Sequence, residues 1–233
     1  MNIKTKEQYF EQLNEDFGWR RKELTLIKQR VELAKPIMLN SEIRAGILIL
    51  YAHWEGFIKT ACSNYLEFVK YKKLTYSELC DNLLALSLRS KIQEIENVGQ
   101  HLIHKEFIHF FKNNLDQRAK WNLEKAIDTK SNLNSDILKN ILSVIGIPFT
   151  DFELKSHLID VQLLKNRNNI AHGNGNKLEI NKPSYLSLHK EIEGLLNIFH
   201  SHLSNLVILE KYKKRATTIK HRFPALAGIG AFC

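Results

Sequence analysis

From Ser41 to Tyr71 the chain carries apolar side chains on one helical face, with no proline to interrupt it. Ile43, Ile47, Leu50, Trp54, Phe57, Ile58, Ala61, Tyr65 and Phe68 follow one another at mostly three or four places. That spacing gathers them on one side of an α-helix, where a strand would need alternation. The segment Ile47–Tyr51 is apolar nearly all round, and a helix of that kind is buried on more than one side. A central helix of this length requires other helices to cover it, so this stretch limits the fold more than any other. Ser41 is its expected N-cap.

The flanking segments repeat the pattern. Phe10, Leu13, Phe17, Leu24, Ile27 and Val31 mark a first helix from about Lys6 to Ala34, stopped by Pro36. Thr75 and Glu78 have capping-box spacing and are expected to open a third helix carrying Leu79, Leu83, Leu86, Ile92 and Ile95. Phe107, Phe110 and Phe111 suggest one further helix and Trp121–Ile127 another. Ser131 to Ser135 reads as a polar break, and Asp136–Ile145 as a short helix closed by Gly146 and Pro148. A second capping-box spacing, Thr150 and Glu153, precedes Leu154, Leu158, Val161 and Leu164 in a helix that ends near Gly173, before the turn-forming run Gly173-Asn174-Gly175-Asn176. Pro183 suits the first position of a last helix that reaches about Tyr212, with Ile192, Leu195, Leu196, Phe199, Leu203 and Leu206 on one face. With only 4 prolines and 10 glycines in 233 residues, the expectation is an all-α chain. It is read as one antiparallel helical bundle over residues 1–212, with extra helices in the middle and a basic, then apolar, tail over 213–233.

Composition narrows the function classes. The net charge of +9 and pI of about 9.4 suit an anionic partner such as nucleic acid, and equally suit solvated lysine-rich faces. Cys62, Cys80 and Cys233 are odd in number and far apart, which is no disulfide framework and points to a reducing, cytoplasmic setting. No apolar leader is visible in Met1–Phe10, and no apolar run approaches the ~20 residues of a membrane span. His101, His104 and His109 lack the cysteine pair or His-Glu-x-x-His pattern of a zinc site, so a surface or packing role is expected, with no metal and no cofactor. Cys80 has no basic neighbour and reads as a buried thiol. The glycines at 173 and 175 are not followed by Lys-Ser or Lys-Thr and form no phosphate loop.

One short segment carries chemistry. Arg167 and His172 are separated by four residues, with Gly173 after them. An imidazole exchanges protons near neutral pH, and a guanidinium forks onto phosphate oxygens. Together they form a minimal kit for cleaving a phosphodiester through its own 2′-hydroxyl. On an unbroken helix a five-residue step turns about 140°, so the pair shares no face unless the helix ends at Gly173 and swings His172 toward Arg167. The plainer alternatives are Arg167 answering the helix dipole and His172 as a cap.

Leu164-Lys165-Asn166-Arg167-Asn168-Asn169-Ile170-Ala171-His172-Gly173 resembles the Arg-x4–6-His motif of the HEPN superfamily, with its polar residue after the arginine. The stretch Arg44 to Lys59, containing Trp54-Glu55, resembles the long early helix of the bacterial MAE-type HEPN group. The resemblance implies a helical bundle and, in many members, a metal-independent endoribonuclease built as a homodimer whose two motifs face each other. It implies His172 as general acid or base, Arg167 as the cation that steadies the phosphorane, and Asn168 as an orienting group. It also implies RNA as substrate and a toxin or anti-phage role with an antitoxin or defence-system partner protein. Lys165 and the tail cations Lys213, Lys214 and Arg215 are weaker candidates for RNA contacts. Glu55 is expected to be an exposed or ion-paired helix residue. Some superfamily toxins place tyrosine two positions after the histidine. Asn174 stands there, which removes that route of control. The rival readings are a non-catalytic HEPN module that binds RNA or a partner protein, and a structural helical protein in which Arg167 and His172 are incidental.

Overall fold

Pro36 begins the central helix instead of merely ending the one before it. In the computed structural model, which describes residues 3–98, 101–123, 126–173 and 180–215, helix α2 runs Pro36–Tyr71, 36 residues. Proline is tolerated in a first helical turn because its missing N–H has no helical partner there. Ser41, the expected cap, therefore lies inside α2, where its hydroxyl donates to the Met38 carbonyl at 2.7 Å. At 1.5 Å per residue α2 spans about 54 Å.

Two long helices cover it. Helix α1 (Lys6–Leu33) and the last helix, α8 (Lys182–Ile208), pack along α2 and against each other. His189 meets the Leu24 carbonyl, while His200 reaches Asn14, so α8 runs antiparallel to α1. Tyr185 lies against Gly46 and Tyr212 against Phe68, so α8 runs parallel to α2. All nine apolar positions that sequence periodicity assigns to α2 are buried. At one point the helices touch backbone to ring. A Cβ added to Gly46 would stand 2.5 Å from the Tyr185 hydroxyl and 2.6 Å from its Cζ.

The middle of the chain departs most from the expected helices. The Thr75–Glu78 capping box forms, but it encloses a single 3-10 turn, Tyr76–Glu78, and α3 begins later, at Asp81–Val98. Leu79 is buried ahead of that helix and Ile92 is 36% exposed; the Ile95 side chain lies outside the described residues. Helix α4 (His101–Asn113) holds the three phenylalanines as expected. The Trp121–Ile127 helix does not form among the described residues. Instead the chain after α4 pairs its backbone with the 3-10 turn: Tyr76 and Ser77 donate to the Gln117 and Leu115 carbonyls, and Ala119 donates to Leu74. Ala126 and Ile127 then enter the core without helical structure.

Helix α5 (Ser135–Ile145) is capped by Asn134, whose side chain accepts from Ile137 N–H, and is closed by Gly146 at φ 81°. The Thr150–Glu153 capping box is absent. Helix α6 (Thr150–Glu153) is one turn with Phe149 as N-cap and no side-chain cap bond, and Leu154 is 92% exposed. After it the chain winds as a π-helix over Leu158–Lys165 before returning to α-helix in α7 (Asn166–Ala171). The wider winding changes which side chains face inward: Ile159, Leu163 and Leu164 are buried and Val161 is 38% exposed. Asn166 uses its amide to satisfy the Gln162 carbonyl at 2.8 Å. Asp160, in the π segment, accepts from the Ser135 N–H and hydroxyl at 2.7 and 2.6 Å, and so places a carboxylate at the N-terminus of α5, where the helix dipole favours it.

Helix α8 is capped by Asn181, and Pro183 lies in its first turn. It ends at Ile208, short of the expected Tyr212. Tyr212 is nevertheless buried, and the Lys214 N–H donates to the Glu78 carbonyl at 2.8 Å. The tail beyond Arg215, and the run Asn174-Gly175-Asn176, lie outside the described residues. No helix of the described residues is long and apolar enough to cross a membrane.

Two consequences are measurable. Gly46→Ala would ordinarily gain helix propensity, but here the methyl group meets a buried ring, so the variant should lose about 1–3 kcal/mol in urea unfolding. A gain would show that α2 and α8 do not approach as described. Burial holds His53, His189 and His200 below the usual imidazole range. Their unfolded counterparts bind protons as pH falls through about 6.5 while the folded groups do not, so stability should be lost in that direction. The urea midpoint is expected to fall from pH 7.5 to 5.5, above the range where carboxylates such as Glu210, held down to about 2, take up protons. A midpoint that stays level or rises over that interval would contradict this burial.

Candidate functional site

The Arg167 guanidinium lies over the face of Tyr51, 4.3 Å from the ring centre, a cation–π contact that also orients the plane of the fork. One of its nitrogens donates to the Asn168 side-chain oxygen at 2.6 Å and to that of Asn132 at 3.4 Å. The other donates to the Ser131 carbonyl at 3.0 Å. Three elements thus meet on one cation: the buried middle of α2, the first turn of α7, and the loop before α5. The Tyr51 hydroxyl fastens that loop from below by accepting from the Leu133 N–H at 2.7 Å.

The loop is specifically built. Lys130 and Ser131 both lie in the left-handed region, at φ 51° and 54°, a conformation that costs ordinary residues on the order of 1 kcal/mol each and persists only where surroundings enforce it. Here Asp128 accepts from the Lys130 N–H at 2.8 Å, Asn132 N–H donates to Thr129, and Arg167 and Tyr51 hold the far side. Sequence reasoning saw only a polar break. The signal present was weak: asparagine at 132 and 134, a residue type that bonds to nearby backbone.

Tyr51 is pushed up to about 12, mainly by burial, with the Leu133 hydrogen bond opposing and the Glu55 carboxylate adding to it. It therefore presents a neutral phenol ring to Arg167. Glu55 is neither exposed nor ion-paired among the described residues, contrary to expectation. It is half-buried one turn from Tyr51, and its Oε1 is buried without a hydrogen-bond partner.

His172 does not swing toward Arg167. Its N–H still bonds to the Asn168 carbonyl at 3.0 Å, its backbone sits at φ −89° and ψ 11°, and the reversal falls one residue later, on Gly173 at φ 76°. Helical geometry thus carries through Ala171, and the offset of about 140° between the two side chains stands. Ile170 anchors this end of α7 in a small apolar cluster with Val31, Ile43, Ile47 and Tyr185, while His172 is exposed.

The other candidates are scattered. Lys165 is exposed at the end of the π segment. Lys213, Lys214 and Arg215 lie at the far end of α2: Tyr212 packs on Phe68, and Lys213 pairs with Glu210 at 2.6 Å. Tyr51 and Phe68 are separated by about 25 Å of helix, so the tail cations form no joint site with Arg167. In α4 the His109 ring accepts from the Asn113 amide at 3.1 Å, and among the described residues no group of three His, Cys, Asp or Glu side chains could hold a metal ion. Cys80 is half-buried and its thiol is pushed up by burial.

The family model described as RiboL-PSP-HEPN matches residues 15–205, a span that takes in most of α1, all of α2 and the Arg167–His172 segment. Comparison with curated proteins and with solved structures gives no match.

Tyr51→Phe keeps the ring under Arg167 and removes only the acceptor for a buried N–H. An unpaired buried donor costs about 1–3 kcal/mol, and the urea unfolding free energy should fall by that amount. No change would mean that the loop over residues 128–133 is not held through this hydroxyl.

Proposed function

Because the chain belongs to the RiboL-PSP-HEPN family, we propose that it is a metal-independent endoribonuclease whose site is composed of Arg167 and His172 from two copies of the chain. The observation that carries this reading is the mounting of Arg167. A cation fixed between an aromatic face and three oxygens is preorganised to meet charge that develops on a phosphorane, and preorganised charge is what lowers a transition state. Asn168 keeps the fork in place.

The reaction needs two proton transfers. The 2′-oxygen attacks phosphorus and gives up its proton, the bond to the 5′-oxygen breaks, and that oxygen takes a proton as it leaves. The products are a 2′,3′-cyclic phosphate and a 5′-hydroxyl. One imidazole cannot perform both transfers in one step, and within a single chain His172 and Arg167 point apart. Two facing α7 helices supply two imidazoles and two cations, with one His172 as base and the other as acid. The resemblance of the Trp54-Glu55 helix to the MAE-type group, and a role as a toxin or anti-phage effector with an antitoxin or defence-system partner, belong to this proposal.

A second reading, a HEPN module that binds RNA without cutting, is favoured by one observation: much of the Arg167 fork is already occupied by protein oxygens. Purified protein incubated with cellular RNA in EDTA separates the two. The ribonuclease should produce 2′,3′-cyclic phosphate ends, and His172→Ala should lose about 10²–10⁴ in rate while its circular dichroism and oligomeric state stay unchanged. Intact RNA with the wild type, together with retardation at low salt that Arg167→Ala removes, would replace cleavage by binding.

A further inference from the structure

Two adjoining clefts, of about 430 and 560 Å³, run along the exposed side of α3 and share Leu86, Arg89, Gln93 and Ala126. They form one groove whose described walls are α3, the outer side of α5 and the residues at 120–122, 126, 128 and 130. Lys120 and Trp121 line one end and Lys130 lines the other. Among the described lining residues the cations are Arg89, Lys120 and Lys130, and the one acid is Asp128, whose Oδ1 already accepts from the Lys130 N–H. The residue after Lys130 is Ser131, whose carbonyl holds Arg167. The groove therefore ends one residue along the chain from the carbonyl that holds Arg167.

We propose that this groove binds a single-stranded segment of RNA that continues from the phosphate held at Arg167. The inference rests on the ribonuclease reading for the identity of the polymer, and on the groove itself for the path. Phosphates bring a charge that Lys120 and Lys130 answer. An indole at the wall offers a face on which an unpaired base stacks, which a base in a duplex cannot use. Amide groups from Gln93 and Asn140 line the same walls and hydrogen-bond to base edges or sugars without demanding one base. The strained backbone at Lys130 and Ser131 acquires a purpose: it presents one residue to the groove and the next to the catalytic cation.

The test uses the full chain and a fluorescein-labelled 2′-O-methyl oligonucleotide of ~12 nucleotides, a length within the span of single-strand sites. This probe cannot be cleaved, so binding is read apart from chemistry. Lys120→Ala with Lys130→Ala should weaken binding and lower the slope of log Kd against log salt by about two, one for each lost phosphate contact. A second probe with 4-thiouridine at successive positions should photocrosslink to peptides containing Arg89 or Trp121. That readout needs no variant and holds even if the double variant fails to fold. Crosslinks confined to other surfaces, an unchanged salt slope in a folded double variant, or no binding by the wild type would each overturn the groove. Cleavage of unmodified RNA is scored separately: crosslinks in the groove without cleavage would sink the ribonuclease reading alone, and cleavage with crosslinks elsewhere would sink the groove alone.

Discussion

A helix that is apolar on almost every side exists in water only when other structure covers it, and α2 is such a helix along its middle turns. α1 and α8 clad most of its length, and they come so close at Gly46 that no Cβ fits beneath Tyr185. What remains uncovered near Tyr51 is closed by α7 and the loop over residues 128–133. The site is thus a product of the same burial that makes the bundle. Tyr51 belongs to the core by its ring, which is 2% exposed, and to the site by the guanidinium that lies on it. A change that loosens the packing of α2 would loosen the seat of Arg167 as well.

The π-helix is the second determinant. Had Leu158–Lys165 continued as an α-helix, Leu154 and Val161 would share a buried face with Leu158 and Leu164. The observed winding exposes Leu154 and Val161 and buries Ile159, Leu163 and Leu164. A π segment rotates everything that follows it about the helix axis, and such segments are frequent at functional sites for that reason. The rotation here delivers Arg167 to Tyr51 and Ile170 to the apolar cluster beside Ile43. The Asn166 amide and the Asp160 carboxylate take up polar groups at the two sides of the segment, so the irregular winding carries local compensation.

These two features explain what could be read from sequence. The long helices were legible because period and burial agree: every stripe residue of α2 is inside, and Leu13, Phe17, Leu24, Ile27 and Val31 of α1 are inside too. Arg167 and His172 were singled out by residue type and by resemblance to a family motif, since their spacing alone also fits a dipole partner and a cap. The seat of Arg167 was not. Tyr51 reads as one more aromatic on a core stripe, and Ser131 acts through its carbonyl, which has no side-chain signature. Trp121 and Ile127 misled for the opposite reason. Their spacing mimics a helical face, yet the chain there is held by backbone bonds between residues 115–119 and 74–77, a long-range pairing that local periodicity cannot register. Thr150 and Glu153 show the same limit at a helix start: the right residues at the right spacing form no box when Phe149 already stands in a helical conformation ahead of them.

Under the ribonuclease proposal, the separation of Arg167 from His172 matches what each group would have to do. A cation that stabilises a developing charge works best fixed and partly desolvated, and Arg167 is held so by aromatic face and oxygens. A proton carrier has the opposite need. Burial penalises the charged imidazole, and it does so in this molecule at the buried His53 and His189 and at the half-buried His200. His172 is exposed, and Gly173 turns the chain one residue beyond it. One helix thereby holds a seated cation on its inner side and an exposed imidazole at its end. Within one copy these two face different ways; in the two-fold dimer proposed above, each exposed imidazole would approach the cation of the other. On the ribonuclease proposal, the geometry that keeps the pair apart in a single chain is what a second chain would complete.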